Sequence, residues 1–515
     1  MRLLDSNDTF SKPHLSFQAH GNAIIDLQFS EDDYLLATAS GDQTGRVIDM
    51  MTQTPVSILG HHTASLKQVR FQPGRGASAV LATSSRDGSV QIWDLRCRGG
   101  PVQEIMVPDQ STSGLQYRLV PRSVNPGCVV NSIYDAHAPR AIRQAAAFKA
   151  SSASSSSTDI ARVVSEVPGR IGEVSVTALQ FLPPGREHLL LTACEADASI
   201  KLWDIRAIHS SRQHKTSTPL SFTSPPPSHA SWRPFGISSM TLGGDGSRLY
   251  ALCKDNTVYA YSTAHLVLGH ADQLVPARPG EDPPRRRHYS STTPGAAHHH
   301  GLGPLYGFRH PLLHATSFYV KASVRPARDG RSELLAVGSS DGCAVLFPTD
   351  ERYLKDEWRR QKLQQRDDET YYVGNPTAGG NTATKPSTFT GGIGRRSLRS
   401  MMARSNSSDG TSSSSSNLFA ARPGSSSQQP PAEHYLPIAR SGTPLVRGHD
   451  REVGALTWTS EGKLVTVGDD FMVRCWAEDR DRAADLRLGG ETEGRRWGCG
   501  WADVGDAWDG DADDW

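Results

Sequence analysis

The feature that most constrains this chain is a spacing. Six times, an aspartate in a turn is followed six residues later by a large apolar residue: Asp42/Ile48, Asp87/Trp93, Asp197/Trp203, Asp255/Tyr261, Asp341/Phe347 and Asp470/Trp476. A short apolar run precedes each turn, at 35–39, 80–83, 189–192, 249–252, 334–337 and 464–467. Another run lies ahead of it, at 23–29, 66–71, 176–181, 236–240, 318–324 and 453–458. Runs of this length with tight turns between them are strands, not helices. A unit of three or four strands cannot bury its own apolar face, so the copies must stack on one another.

The residues at fixed places in the unit identify its type. Trp93-Asp94, Trp203-Asp204 and Ile48-Asp49 close the third run, and histidines open the unit, with His20, His61, His137, His270 and His449 as the candidates. Histidine at the opening, aspartate in the turn and tryptophan-aspartate at the strand end are the marks of WD40 blades. The expected fold is therefore all-β: a WD40 β-propeller of six recognisable blades plus a partial seventh. Residues Arg2-Leu3-Leu4-Asp5 read as the end of a third strand in that seventh blade. The structural set is His20, Asp42, His61, Asp87, Trp93, Asp197, Trp203, His449, Asp470 and Trp476. A His/Asp pair resembles a catalytic dyad, but a pair repeated in every blade is a set of equivalent polar buttresses for buried turns.

Four long segments interrupt the period. Residues 138–170, 207–231, 271–312 and 350–440 carry serine runs (Ser151–Ser157, Ser412–Ser416), Pro225-Pro226-Pro227, Arg285-Arg286-Arg287 and His298-His299-His300. Such composition buries no core, so these segments are expected to be disordered insertions, with a short helix near 353–365. The triple histidine reads as a solvated tract and not as a metal site. The expected organisation is a blade remnant at 1–15, blades over 16–349, a low-complexity insertion at 350–440, the last blade at 441–477, and an acidic disordered tail at 478–515.

Lys+Arg 55 against Asp+Glu 54 leaves no global field to draw the chain to nucleic acid or an anionic membrane. No apolar run approaches the roughly 20 residues of a membrane span. The seven cysteines form no CxxC pair, so neither a zinc cluster nor a redox motif of that type is expected, and an odd, scattered set suits a reducing compartment. No nucleophile elbow, P-loop, HExxH or paired-acid constellation is present, so the expected role is non-catalytic, with no cofactor and no metal.

Two blades continue past the tryptophan-aspartate pair to an arginine: Trp93-Asp94-Leu95-Arg96 and Trp203-Asp204-Ile205-Arg206. The planar five-donor guanidinium suits recognition of carbonyls and carboxylates. These segments resemble the WDxR box of receptors that dock on the damaged-DNA-binding adaptor of cullin-4 ubiquitin ligases. Over residues 16–477, the stretches 19–27, Gly41-Asp42-Gln43-Thr44, 65–71, 86–97, Ser317-Phe318-Tyr319-Val320-Lys321 and Gly448-His449-Asp450-Arg451-Glu452-Val453 resemble the denticleless family in order and content. The resemblance implies a nuclear substrate receptor that presents replication-licensing and cell-cycle proteins for degradation in S phase or after DNA damage. The adaptor would contact Asp94, Arg96, Asp204 and Arg206, and cullin-4 and the RING subunit would join indirectly. Lys67 and Lys321 are expected to meet an acidic residue of the degron. Members of the family have a full blade ahead of the one starting near Phe17, and some contact the sliding clamp through a long tail. The nearest clamp-box lookalike here, Gln365 to Tyr372, has Asp368 where an aliphatic residue is needed, so contact with the clamp is expected to be indirect. The alternative is a general WD40 scaffold in chromatin or RNA processing.

Overall fold

A computed structural model describes residues 2–4, 13–16, 18–74, 79–108, 119–138, 174–207, 218–231, 233–268, 300–301, 303–328, 330–355, 359, 436–488 and 498–501. The chain divides into two units, 1–360 with 436–515, and 361–435; the second lies wholly outside the described residues, as do His270 and Gln365 to Tyr372. The first unit is a WD40 β-propeller.

Six blades of four principal strands follow the period read from the sequence; His300–Gly301 adds a fifth strand to blade 3, Ile438–Ala439 adds one to blade 4, and Gln103–Pro108 pairs with the outer strand of blade 2. Blade 1 comprises Ile24–Phe29, Leu35–Ser40, Gly45–Asp49 and Thr54–Leu59. Blade 2 comprises Leu66–Phe71, Val80–Ser85, Val90–Arg98 and, as its outer strand, Leu119–Ile133. Blade 3 comprises Val176–Phe181, Leu189–Cys194, Lys201–Asp204 and Ser221–Thr223. Blade 4 comprises Ile237–Leu242, Arg248–Cys253, Thr257–Ser262 and Tyr306–Phe308. Blade 5 comprises Ala322–Arg325, Leu334–Val337, Val345–Pro348 and Thr443–Pro444. Blade 6 comprises Val453–Trp458, Leu464–Gly468, Val473–Glu478 and Gly498–Trp501. A separate hairpin pairs Arg2–Leu4 with Pro13–Ser16, with Arg2 opposite Ser16.

The outer strands are where the chain departs from its reading. Ser221–Thr223 and the helical turn Pro227–Ser231 lie inside the expected insertion 207–231, and Tyr306–Phe308 lies inside 271–312. Thr443–Pro444, assigned from sequence to the last blade, completes blade 5 instead. The outer strands of blades 3 to 6 are two to four residues long and carry no alternation, so composition hid them. The expected acidic tail also holds structure. Arg480–Leu488 is helical, and Gly498–Trp501 pairs in parallel with Val473–Glu478, burying Cys499 and Trp501 against Trp476 and Leu486. Two buried aromatic and sulfur side chains outweigh the acidity of their neighbourhood.

The cores lie between consecutive blades. Leu59, Leu66, Val69 and Trp93 pack blade 1 on blade 2, Ile92, Leu179 and Trp203 pack blade 2 on blade 3, and Tyr250, Phe308, Leu335 and Phe347 pack blade 4 on blade 5. Polar side chains of the inner strands stitch the same junctions. Asp26 accepts from Val69 N at 3.1 Å and Arg70 Nη1 at 2.5 Å, and Gln28 accepts from Phe71 N at 2.7 Å. Gln68 accepts from Leu179 N at 2.7 Å, Thr177 donates to Ile237 O at 2.5 Å, Ser239 accepts from Ala322 N at 3.2 Å, and Trp458 Nε1 donates to Ser323 O at 3.2 Å. Side chains alternate along a strand, so with Asp26 and Gln28 turned to blade 2, Leu27 and Phe29 face the other flank, where they stay 46% and 40% exposed.

Inside three blades, a single buried threonine joins two side chains. Thr83 accepts from Trp93 Nε1 at 2.8 Å and lies 2.7 Å from His62 Nε2. Thr83→Val keeps the shape but leaves both nitrogens buried without a partner. It should cost about 1–3 kcal/mol, read as a lower urea midpoint with an unchanged far-ultraviolet circular dichroism spectrum before unfolding. An unchanged midpoint would mean that the threonine contributes nothing beyond packing.

Candidate functional site

The repeated polar set is a hydrogen-bonded chain that ties strand to turn. In blade 6, Trp476 Nε1 donates to Thr466 at 2.9 Å, Thr466 lies 2.8 Å from His449 Nε2, and His449 Nδ1 is 3.1 Å from Asp470. Blade 2 repeats it with Trp93, Thr83, His62 and Asp87, the last pair at 3.1 Å. The blade-opening histidine there is therefore His62, and not His61, which is exposed. The adjacent pair His61-His62 gave the sequence no means of choosing. In blade 1, His20 bridges Asp42 at 2.9 Å and Thr38 at 2.7 Å, while Ile48 takes the tryptophan place. In blade 3, Trp203 Nε1 and His137 Nε2 both reach Thr192 at 2.9 Å, and His137 Nδ1 stands 4.0 Å from Asp197. Blade 5 uses His314, 2.8 Å from Asp341, a histidine the sequence reading passed over. Among the described residues blade 4 has no such histidine: Tyr259 donates to Asp255 at 2.6 Å, and Ser228 donates to the same carboxylate at 3.1 Å.

His137, Cys194 and Asp197 cluster closely enough to suggest a metal site. The comparison with blade 2 explains them otherwise. Asp197 N donates to Cys194 Sγ at 3.4 Å, as Asp87 N donates to Ser85 Oγ at 3.1 Å, so the cysteine fills the serine place of the turn. Burial, then the charge of Asp197, pushes its thiol up to about 12. A protonated thiol is a poor ligand.

At the opposite end of the third strands, the two WDxR segments form the same fork. Arg96 N and Nε each donate to Asp94 Oδ1 at 2.9 Å, and Nη2 donates to Oδ2 at 2.7 Å. Arg206 N and Nε donate to Asp204 Oδ1 at 2.9 and 3.0 Å, and Nη2 to Oδ2 at 2.8 Å. The backbone bond is an Asx-type turn, and the guanidinium closes over the same carboxylate. Both aspartates sit below the usual carboxylate range because of these arginines, and the Arg96 and Arg206 side chains are 69% and 65% exposed. Each guanidinium keeps three N–H groups directed away from its aspartate. Asn131, paired with Ile92 on the strand that carries Arg96, donates to Ile205 O at 2.9 Å and Ala207 O at 3.0 Å, on either side of Arg206. One side chain thus fixes the spacing between the forks. Blade 5 carries a third fork that sequence reading missed, Arg352 on Asp350 at 2.9 and 2.6 Å. It lies beyond Phe347-Pro348, so no tryptophan-aspartate pair flagged it.

Lys67 and Lys321 come together from blades 2 and 5. The Lys67 ammonium stands 5.7 Å from the centre of the Tyr319 ring. Lys321 donates to Ser238 O and Phe318 O, each at 3.4 Å, and burial pushes its ammonium down to about 8, with Asp26 opposing and Arg70 and Lys67 adding to the fall. Its charge is thus turned inward to carbonyls, while Lys67 keeps an aromatic face. Lys254 joins the group, 4.4 Å from the centre of the Phe318 ring, and donates to Thr316 O. The segment Phe318-Tyr319 is read in the sequence as the start of an inner strand and for its family likeness, but the strand begins at Ala322 and the two rings stand ahead of it as cation-binding faces.

The His20 buttress makes blade 1 sensitive to acid. Burial holds His20 below its ordinary 6.5 against the pull of Asp42, and Asp42 itself lies below the carboxylate range. As pH falls past about 6.5 the unfolded chain takes up a proton at this histidine before the folded chain does, so stability held by His20 is full above that pH and declines below it. The Asp42 contribution is lost only at still lower pH. Amide hydrogens of Leu35–Ser40 should therefore lose protection between pH 7 and 5.5, after correction for intrinsic exchange, and equal protection would contradict this assignment.

Comparison with known proteins fits the geometry. The WD domain, G-beta repeat family model matches residues 11–49, 53–94 and 442–477, in blades 1, 2 and 6. Cell division cycle protein cdt2 of Schizosaccharomyces pombe is 30% identical over 257 residues, 49% of this chain and 41% of that protein. The denticleless protein homologues of Gallus gallus and Homo sapiens are 29% and 28% identical over 250 residues, 48% of this chain and 29% of each relative. The chain thus spans about two-fifths or less of the length of these relatives. With the blade order, the WD repeats and this likeness in agreement, the chain is a WD-repeat β-propeller that is similar to cdt2 and the denticleless proteins over about half its length.

Proposed function

We propose that this protein is the substrate-recognition subunit of a cullin-4 RING ubiquitin ligase. It docks on the damaged-DNA-binding adaptor through Arg96 and Arg206, with Asp94 and Asp204 as positioning residues. The observation that carries the reading is the pair of equivalent forks on adjacent blades, at a spacing set by Asn131. Two exposed, pre-organised guanidinium planes lose little freedom on binding, which is what a docking surface needs. The likeness to cdt2 and the denticleless homologues supports the same reading.

At the other end of the blades, Lys67, Tyr319 and Lys254 offer cations and ring faces to an acidic degron segment, and Lys321 holds the Phe318 turn in place from within. The protein performs no covalent step. Ubiquitin is transferred by the RING subunit and a conjugating enzyme, and the propeller raises the local concentration of substrate lysines. The substrates are replication-licensing and cell-cycle proteins, presented in the nucleus during S phase or after DNA damage, with the sliding clamp met through the substrate.

The test is co-purification of the adaptor from cells with the wild-type chain and with Arg96→Ala, Arg206→Ala and the double variant. Each single change should weaken retention by about tenfold or more, and the double variant, folded by circular dichroism, should retain none. Retention unaffected by the double change would remove the forks from the interface.

A further inference from the structure

Two cysteines sit beside the blade 2 fork. Cys97 follows Arg96 and is exposed, while Cys128 is partly buried on the outer strand. The strands run antiparallel with Arg98 opposite Gly127, so Cys97 and Cys128 each stand one residue from that pair. There the ladder breaks: the next pair is Cys128 with Asp94, so Leu95, Arg96 and Cys97 bulge from the strand. Burial raises the Cys128 thiol above the ordinary thiol range, and the nearby Cys97 and Asp94 add to the rise.

Glycines press the two strands together at this point. Gly99 N donates to Pro126 O at 3.0 Å, and a Cβ on Gly99 would overlap the Gly127 carbonyl. A Cβ on Gly127 would meet Leu59 at 2.7 Å and Trp93 at 2.9 Å. The backbone on both sides of the cysteines is thus held at close approach by contacts that tolerate no side chain.

We propose that Cys97 and Cys128 are a reversible thiol–disulfide pair, oxidised by peroxide, that locks the bulge carrying Arg96 and so regulates the rim. Cys97, the exposed partner, attacks one peroxide oxygen as its thiolate; the O–O bond breaks, water leaves, and Cys97 becomes a sulfenic acid. The Cys128 sulfur then attacks the Cys97 sulfur, the S–O bond breaks, and the hydroxyl leaves as water with the thiol proton. Two thiols give up two electrons and two protons, and one hydrogen peroxide becomes two waters. An S–S bond of about 2.05 Å draws the bulge toward the outer strand. That displaces Arg96 N from Asp94 Oδ1, now 2.9 Å away, and loosens the fork. The regulatory half rests on the docking role proposed for Arg96; the disulfide itself does not.

The experiment uses the full chain, reduced and then exposed to hydrogen peroxide, with remaining thiols alkylated before non-reducing peptide mass spectrometry. A Cys97–Cys128 linked peptide that dithiothreitol reverses, and that Cys97→Ser and Cys128→Ser each abolish, is the expected result. Cys97 driven to sulfinic acid with Cys128 still open to alkylation overturns the proposal. Adaptor retention should fall several-fold on oxidation, recover with reductant, and stay constant in the exposed-site variant Cys97→Ser. Equal retention by the oxidised and reduced wild type overturns the regulatory half. If even the reduced chain retains no adaptor, the docking reading fails, and slower amide exchange at 95–98 in the disulfide form decides the lock by itself.

Discussion

The order of this propeller turns on one buried hydroxyl in each of three blades. In blades 2, 3 and 6, the threonine of the second strand accepts from the tryptophan of the third strand and meets the ring of the blade-opening histidine. The histidine in turn reaches toward the aspartate of the tight turn. With the histidine neutral and its proton on Nδ1, the chain in blades 2 and 6 runs in one direction from indole to carboxylate, and every buried polar atom in it has a partner. Such a chain joins three strands and a turn that hydrophobic packing alone would leave free to slide. Loss of one link orphans the others.

The same third strand that is pinned by tryptophan at its middle carries the Asp–Arg fork at its end. Trp93 precedes Asp94, and Trp203 precedes Asp204, so a fixed indole fixes the fork that follows. Asn131 then ties the blade 2 sheet to the carbonyls around Arg206. The rim is therefore rigid for reasons that begin in the core. The opposite end of the blades is built differently. Its cations come from blades 2, 4 and 5 and lie on rings and carbonyls of blades 4 and 5, an arrangement that depends on how inner strands converge, not on the repeat.

This division explains what could be read from the sequence. Inner and middle strands were legible, because their alternation and the aspartate spacing are local. Both WDxR forks were legible too, since the arginine follows its aspartate by two residues in the chain. The Asp350–Arg352 fork was hidden by Pro348, and the choice of His62 over His61 depended on which ring reaches Thr83, a contact across 21 residues. Short outer strands such as Ser221–Thr223 and Tyr306–Phe308 take their shape from the strand they pair with, and their own residues carry little pattern. The strand Gly498–Trp501 lay in an acid-rich stretch whose composition outvoted its buried tryptophan.

The rim bearing Arg96 and Arg206 is the face proposed to meet the ligase adaptor. A cryo-electron microscopy structure of this chain with the adaptor tests it most directly. The account predicts both guanidinium groups within hydrogen-bond distance of adaptor oxygens while each stays forked on its own aspartate, with Lys67 and Tyr319 on the far side. An adaptor seated on the Lys67 and Tyr319 surface, with both forks in solvent, would contradict it.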